Sequence, residues 1–326
     1  MKGKIVLLMV AVLTLMIGSD VLADTFPSKP INLWIGWGAG SAADVSNRAS
    51  ANVASKNLKQ PVIVSNITGG GGTLVLGRLK EEKPDGYTIA QSSSAALSRT
   101  PHLQPVPFNA QNPLGDFVPV YSYYNSVHGL AVRSDSPWKT LEEFIAYAKA
   151  NPGKVRYSTS GAGTGQHLSM EYLGLKENIK WTHVPFPSSP QAVAAVVGGH
   201  VEAVAQTPEW KEFVDSGKLR LLACLNEKRL SAYPNIPTLR EKGYDFDLLT
   251  ITVIYAPAKT PKDVVTLLNK AFRQASETEE MKQILNNYGL TLEIHDSEEL
   301  IQIIKKDYEA NGKLIKELGL GIYKKN

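Results

Sequence analysis

From residue 31 onward, the chain alternates short apolar runs with longer amphipathic segments, and this alternation limits the fold more than any other feature. Alternating strand-like and helix-like segments are typical of α/β proteins. The apolar runs predict strands over 31–35, 61–65, 87–91, 117–122, 128–133, 155–158, 201–205, 219–225 and 251–256. Helical spacing predicts helices over 43–57, 141–150, 261–275, 277–288 and 297–318. The sequence therefore predicts an α/β fold.

The first 23 residues have the three parts of a secretory signal peptide. Lys2 and Lys4 precede an apolar run over 5–17, and Val21-Leu22-Ala23 supplies small or tolerated residues at the cleavage positions. The apolar run is shorter than the roughly 20 residues that a membrane span needs. We therefore expect export, with cleavage near Ala23. Asp24 stands where a lipoprotein has cysteine, so no lipid anchor is predicted.

The charge balance argues against a nucleic-acid partner. The chain has 35 Lys and Arg residues against 31 Asp and Glu residues, a net charge of +4, and removal of the signal peptide would lower the charge to +3. Nucleic-acid-binding domains carry a much stronger basic excess. The single cysteine, Cys224, forms no internal disulfide and is predicted to be a buried strand residue, because it lies in the apolar run 219–225.

The length of the chain predicts two domains, since an exported chain of this size without disulfides needs large cores. Consecutive apolar strands without a strong helix between them occur around 120–132 and 219–256, and no linker or repeat separates two halves. The chain is therefore expected to cross between lobes at these two places. Lobe 1 is predicted to contain 24–124 and 248–326, and lobe 2 to contain 125–247.

Small polar residues follow four of the predicted strands. Gly-rich loops follow two of them, at 36–41 and 159–165, while Ser92-Ser93-Ser94 and Gln206-Thr207 follow the other two. In open α/β sheets, ligands bind at the carboxyl ends of strands. These ends predict a neutral cleft rich in donors, where helix-opening loops present amides to an anion. The loop at 69–72 either supports this cleft or is a flexible turn.

Motifs for catalysis and for nucleotide binding are missing from these loops. Ser41 stands where G-x-G-x-x-G needs its third glycine, and neither Gly-rich loop carries a P-loop lysine. No G-x-S-x-G motif surrounds Ser93 or Ser160, and the six histidines share no metal-ligand spacing. We therefore predict no catalytic residue, no metal and no cofactor.

Some side chains near the cleft have two interpretations. His167 either forms a structural hydrogen bond or contacts the ligand. Asp44 either pairs with Arg48 at i,i+4 spacing or binds a ligand amine. Three aromatic residues either wall the pocket or belong to the core: Trp37, Tyr123 and Tyr124.

Eleven segments occur in a characteristic order along the whole mature chain. They are "FPSKPINLWI" at 26–35, Gly40 with Asp44 and Arg48, "LKQPVIVSNITGGGGT" at 58–73, "KPDGYTIAQSSS" at 83–94, "DFVPV" at 116–120, "NPGKVRYSTSGAGTGQHLSMEYL" at 151–173, "THVPF" at 182–186, "GGHVEAV" at 198–204, "SGKLRLLA" at 216–223, "YPNIPTLREKGY" at 233–244 and "APAKTPKDVVTLLNKAF" at 256–272. Each segment is moderately specific, but all eleven in order are very specific. The sequence resembles the Bug family of periplasmic solute-binding proteins, the TctC-like receptors of tripartite tricarboxylate transporters.

This resemblance implies a two-lobed type II periplasmic binding protein fold. Each lobe would be a sheet flanked by helices, and hinged lobes would close around a ligand in the cleft between them. The implied function is capture of a small carboxylate-bearing organic solute in the periplasm, without catalysis, for the membrane subunits of a tripartite tricarboxylate-type transporter. We expect a monomer. The rival functions are a binding protein for a two-component sensor and an exported enzyme that uses the same cleft.

Members of this family usually hold a carboxylate with main-chain N–H groups of the first and fourth loops, which are 36–43 and 159–165 here. The resemblance and the strand ends together predict these ligand-binding residues: Trp37, Gly38, Ala39, Gly40, Ala43, Ser92, Ser93, Ser94, Thr159, Gly163, Thr164, His167 and Gln206.

The chain departs from the family pattern in two places. "GWGAGSAA" at 36–43 replaces a loop that normally carries prolines and a Gly-Gly-Gly-Thr run, and Gln206-Thr207-Pro208-Glu209 replaces a commoner acidic or Asn-bearing stretch. Both changes lie where ligand selectivity is expected, so the resemblance does not identify the ligand.

Overall fold

The computed structural model describes residues 26–230, 232–245 and 250–324, and the described strands form two sheets. The predicted signal peptide over 1–23 lies outside the described residues. The strands are β1 Ile31–Ile35, β2 Val62–Asn66, β3 Thr88–Ser93, β4 Phe117–Asn125, β5 Gly129–Arg133, β6 Arg156–Thr159, β7 Thr182–Pro185, β8 Ala203–Gln206, β9 Leu219–Cys224, β10 Ile251–Pro257 and β11 Thr291–His295.

The helices cover both sheets, and six of the described helices begin at a Ser, Thr or Asp side chain that accepts a capping hydrogen bond. The helices are α1 Ala42–Leu58, α2 Thr73–Leu79, α3 Ser94–Ser98, α4 Thr100–Leu103, α5 Leu141–Ala150, α6 Gly165–Glu177, α7 Ser189–Val197, α8 Lys211–Asp215, α9 Lys262–Ser276, α10 Glu279–Asn287 and α11 Ser297–Glu317. Thr140, for example, caps α5 by accepting a hydrogen bond from the Glu143 amide. No helix among the described residues has both the length and the apolar character needed to cross a bilayer.

The first sheet takes its strands from both ends of the chain. Its order is β11-β4-β10-β3-β1-β2, with β1 parallel to β2 and β3, and with β10 antiparallel to both of its neighbours. The second sheet is continuous in sequence, from β5 to β9, in the order β7-β6-β8-β5-β9. The predicted two-lobed α/β architecture, with a sheet in each lobe, is confirmed.

The lobe boundaries at 124/125 and 247/248 stay predictions. The chain leaves the first sheet after Asn125 and rejoins it at Ile251. Residues 246–249, which contain the second boundary, lie outside the described part of the chain.

Each sheet is buried on both faces, as its apolar strands require. In lobe 1, one face of the sheet packs on α1 and α9 through Leu33, Ala54 and Phe272, and the other packs on α2 and α11. In lobe 2, Cys224 is fully buried in one of the two core clusters. The prediction of a buried Cys224 is therefore confirmed.

Two strands were not predicted, and both are edge strands. β7 and β11 lie at the outer edges of their sheets. An edge strand has fewer buried neighbours, and β7 accordingly has no fully buried residue, so its "THVP" segment shows no apolar run. The nine predicted strands and the five predicted helices are all present, with ends shifted by one to a few residues.

The last long helix, α11, contacts both lobes. Leu300 and Ile304 belong to a core cluster of the first sheet, whereas Ile315 belongs to a core cluster of the second. The predicted boundaries assign all of α11 to lobe 1, so the contact of its final turns with lobe 2 is an additional feature.

Candidate functional site

A narrow cavity lies between the two lobes and contains about 540 Å³ of space, counting the open space at its mouth. Its lining comes from both lobes and consists of Trp37, Ser41, Ala42, Ala43, Ser93, Ala95, Tyr124, Ser126, His128, Ser160, Thr164, Gly165, Gln166, Ser189, Thr207, Pro208, Glu209, Thr250, Thr252 and Leu290. Among these described lining residues there is no lysine and no arginine.

Three helices of nine or more residues begin at the cavity: α1 at Ala42, α6 at Gly165 and α7 at Ser189. A helix N-terminus carries unpaired N–H groups and a partial positive charge, which stabilise a nearby anion. The first turns of α6 and α7 contain no acidic residue. The cavity can therefore attract an anion without a cationic side chain.

The first Gly-rich loop is held in place from behind by Asp44. The Asp44 carboxylate accepts hydrogen bonds from the Gly40 amide at 3.0 Å, from Arg48 Nε at 2.9 Å and from Asn66 Nδ2 at 2.8 Å. Burial raises the pKa of Asp44, but the hydrogen bonds from Arg48 and Asn66 outweigh it and lower the pKa overall. The i,i+4 pair with Arg48 is confirmed, and Asp44 is absent from the cavity lining.

Glu209 reaches across from lobe 2 to the N-terminus of α1. Its Oε1 accepts a hydrogen bond from the Ala42 amide at 2.9 Å, and its Oε2 accepts one from the Thr207 hydroxyl at 2.6 Å. Burial raises the pKa of this carboxyl group. The amide of the α1 terminus that was expected to face a ligand carboxylate is therefore paired with a carboxylate of the protein itself.

The second Gly-rich loop opens α6. Thr164 caps this helix by accepting a hydrogen bond from the His167 amide, and Thr164, Gly165 and Gln166 line the cavity. Gln166 Nε2 donates to the side-chain oxygen of Gln206 at 2.9 Å. Gln206 itself is fully buried and outside the lining, so its visible role is to position Gln166.

Four of the predicted ligand-binding residues line the cavity: Trp37, Ala43, Ser93 and Thr164. Of the two tyrosines with open interpretations, Tyr124 lines the cavity, whereas Tyr123 is buried and donates to the Ser46 hydroxyl at 2.7 Å. The cavity is therefore lined by some of the predicted ligand-binding residues from each of the two lobes.

Other predicted residues form structural hydrogen bonds instead of lining the cavity. Ser92 donates to the Gly72 carbonyl at 2.8 Å, and the Ser94 hydroxyl accepts from the Ile251 amide at 3.0 Å. Gln206 and Gly40 have the partners given above, and Ala39 is exposed. Ligand contact by this group stays a prediction.

Thr159 and His167 lie beneath the second loop, around His183. The Thr159 hydroxyl lies 2.8 Å from His183 Nε2, and the rings of His167 and His183 stack with centroids 4.2 Å apart. His167 Nδ1 accepts from the Gly163 amide at 3.2 Å. Of its two interpretations, His167 thus has the structural hydrogen bond in this structure.

Glycines occupy the points where the two lobes approach most closely. A Cβ atom at Gly38 would lie 2.3 Å from Ser188 Cβ, and one at Gly163 would lie 2.8 Å from Thr100 Cγ2. In the loop at 69–72, a Cβ at Gly71 would lie 2.8 Å from the Ala162 carbonyl oxygen. These loops therefore also form the contact surface between the lobes.

His128 is the most unusual cavity residue that the sequence analysis missed. Its side chain is fully buried, and the Asn226 side chain is a polar neighbour that acts on its ring. Burial, together with the charge of nearby Arg99, lowers the pKa of His128 to about 3. A neutral imidazole at a cavity wall can donate to or accept from a ligand. His128 is the first residue of the predicted strand 128–133, and a lone histidine there gave no signal of this position.

Acidification should destabilise the protein through His128. The unfolded state takes up a proton near the ordinary pKa of 6.5, and the folded state does so only near 3. Stability is therefore lost as pH falls below 6.5, by about 2 kcal/mol at pH 5. Urea unfolding at pH 7.5 and pH 5 measures the loss, which His128→Gln should reduce by that amount. His200→Gln, at an exposed position, should leave it unchanged, and an equal loss in His128→Gln would contradict the assignment.

No group of three or more His, Cys, Asp or Glu side chains that could hold a metal ion is present within 26–230, 232–245 and 250–324.

Comparison with known proteins places the chain among transport receptors. Residues 46–320 match the family model described as "Tripartite tricarboxylate transporter family receptor". The chain is 37% identical over 298 residues to the UPF0065 protein in the gbd 5' region of Cupriavidus necator, covering 91% of this chain and 90% of that protein. It is 30% identical over 307 residues to BugT of Bordetella pertussis, covering 93% of each. A solved structure described as a periplasmic transporter superposes with a TM-score of 0.84 at 28% identity, covering 91% of this chain and 99% of that one.

Proposed function

The chain belongs to the tripartite tricarboxylate transporter receptor family, with Bug proteins among its relatives, and from this premise we propose that it captures a small organic carboxylate and delivers it to a membrane transporter. The receptor works in the periplasm, after cleavage of the signal peptide near Ala23. Its partners are the membrane subunits of a tripartite tricarboxylate-type transporter. It binds as a monomer and carries out no catalysis.

The observation that carries the proposal is the pair of helix N-termini at Gly165 and Ser189. Both open on the cavity, and neither helix has an acidic residue in its first turn. Amides of α6 and the hydroxyl of Ser189, which accepts from the Thr207 hydroxyl and keeps its own proton, can donate to a carboxylate there. Donors fixed by the backbone need no reorganisation when the anion arrives, so they support binding in a cleft without arginine.

Lobe closure is the second element of the proposal. Backbone and side-chain contacts join the lobes at the cavity rim: Ala42 donates to Glu209, and the Thr100 hydroxyl donates to the Gly163 carbonyl at 2.9 Å. In the closed arrangement a ligand is enclosed, and it can leave only when these contacts open. A hinge at the two chain crossings would provide that opening.

A panel of small carboxylic acids should contain at least one that raises the melting temperature. A ligand at ~100 times its dissociation constant stabilises the folded state by about 2.7 kcal/mol. For a protein of this size the shift should be roughly 2–4 °C per kcal/mol. The methyl ester of the best acid should give almost no shift, since amides aimed at an anion lose charge-assisted hydrogen bonds. If no acid stabilises the protein, or if an ester matches its acid, the carboxylate proposal is wrong.

A further inference from the structure

The Glu209 carboxylate lies at the cavity without a cationic partner. Among the described residues, no Lys, Arg or His nitrogen lies within 4.0 Å of it, and Lys211, two residues along the chain, pairs with Asp215 at 2.6 Å instead. The groups that do contact Glu209 are the Ala42 amide and the Thr207 hydroxyl. A partly buried carboxylate usually has a cation as its partner, because hydrogen bonds alone replace only part of its hydration.

The other ionisable groups of the cavity supply no positive charge. His128 stays neutral, because burial lowers its pKa to about 3. Burial raises the pKa of Tyr124, and the charge of the nearby Glu209 carboxylate raises it further. The charge of Arg99 acts on His128, but Arg99 is buried outside the cavity lining. The Glu209 carboxyl group therefore faces the cavity without a compensating cation among the described lining residues.

The three helix N-termini at the cavity differ in how many carboxylates lie beside them. The α1 terminus already has two carboxylates beside it, namely Asp44 in its first turn, which pairs with Arg48, and Glu209 from the opposite lobe, which has no such partner. The α6 and α7 termini have none in their first turns. A ligand carboxylate is thus favoured near α6 and α7 and repelled near α1.

We infer that the ligand carries a protonated amine or another cationic hydrogen-bond donor in addition to its carboxylate, and that Glu209 pairs with this cation. The inference rests on the proposed function and narrows it, since it selects amino acids and related zwitterions over dicarboxylates. The cation would supply the missing partner of Glu209, while the carboxylate would bind at α6 and α7. Glu209 would then determine specificity by attraction for the amine and by repulsion of a second carboxylate.

The test is a thermal-shift panel of matched compounds, namely monocarboxylates, dicarboxylates and amino acids of equal chain length, followed by calorimetry on every hit. The strongest wild-type binders should carry both a carboxylate and an amine. Glu209→Gln should weaken these binders by about 30-fold or more, as removal of one partner of a buried charge pair does. Glutamine keeps one oxygen that can accept from the Ala42 amide, and its Nε2 can donate to the Thr207 hydroxyl oxygen, so the contact between the lobes is retained.

Glu212→Gln is the matched control, because it removes the same charge from an exposed neighbour outside the cavity lining. It should leave the affinity of the amino-acid binders unchanged. If the best binders are acids without a cation, or if Glu209→Gln binds the amino acids as well as the wild type does, the inference is wrong and the carboxylate proposal stands. If no carboxylate of any class binds, the proposed function itself fails.

Discussion

Gly38→Ala should lower the affinity for the best carboxylic acid by about 100-fold or more, because it depopulates the closed state that binds. The added Cβ would lie 2.3 Å from Ser188 Cβ on the opposite lobe, far inside the contact distance of two carbon atoms. The backbone of Gly38 is outside the left-handed region, so alanine causes no strain in the open protein. The ligand-free variant should therefore stay folded with its lobes apart.

Calorimetry measures the loss of affinity, and small-angle scattering measures closure. Ligand should decrease the radius of gyration of the wild type and leave that of Gly38→Ala unchanged. Adding Ser188→Gly to the variant should restore binding, since it removes the atom that the new Cβ meets. The Ser188 side chain forms no cap hydrogen bond at α7, so its loss costs the helix little. Wild-type affinity in Gly38→Ala would show that the lobes bind ligand without this close approach.

Asp44→Ala should lower the free energy of unfolding by about 3 kcal/mol, because it removes the shared acceptor of a buried network. The Asp44 side chain is 5% exposed, and its loss leaves the Gly40 amide, Arg48 and Asn66 without this partner. Asn66 also donates to the Trp37 carbonyl, so the order of the first loop depends on the same network. Urea unfolding at pH 7 measures the change.

Two comparisons make the Asp44 result specific. Asp135→Ala removes a carboxylate from an exposed pair with Arg133 and should change stability far less than Asp44→Ala, because solvent screens an exposed pair. Because the folded-state pKa of Asp44 is lowered from 3.8, its contribution is present above pH 3.8 and is lost as pH falls below that value. A stability loss in Asp44→Ala as small as that in Asp135→Ala would mean that the network contributes little.

The sequence predicts the general position of the site because strand ends follow from periodicity. An apolar run followed by small polar residues identifies where a strand ends, and the ends of parallel strands meet at one edge of a sheet. Trp37, Ser93 and Thr164 were found in this way and line the cavity. Successive side chains of a strand alternate between faces, however, so Ser92 and Ser93 cannot both point into the cleft. One sequence without pairing registers does not show which of the two does.

The sequence placed Glu209 only within the stretch 206–209 where selectivity is expected, and it gave no role to Glu209 or His128, because their roles depend on how the lobes meet. Glu209 is 167 residues from the amide that it contacts, and no local pattern encodes that separation. Two glycines show that contacts between the lobes could not be predicted from the sequence either. Gly38 and Gly163 were predicted from their loops as ligand contacts, whereas the structure places them where the lobes touch one another.

The order of strands in the first sheet delays completion of the protein until the end of synthesis. β10 lies between β3 and β4, so the sheet has a gap in its middle until residues 251–257 are made. Lobe 2 must wait as well, because Ile315 near the C-terminus fills part of its core. A chain that grows from its N-terminus therefore exposes incomplete apolar surfaces on both lobes for most of its synthesis. Both cores are therefore complete only when the C-terminal residues are present.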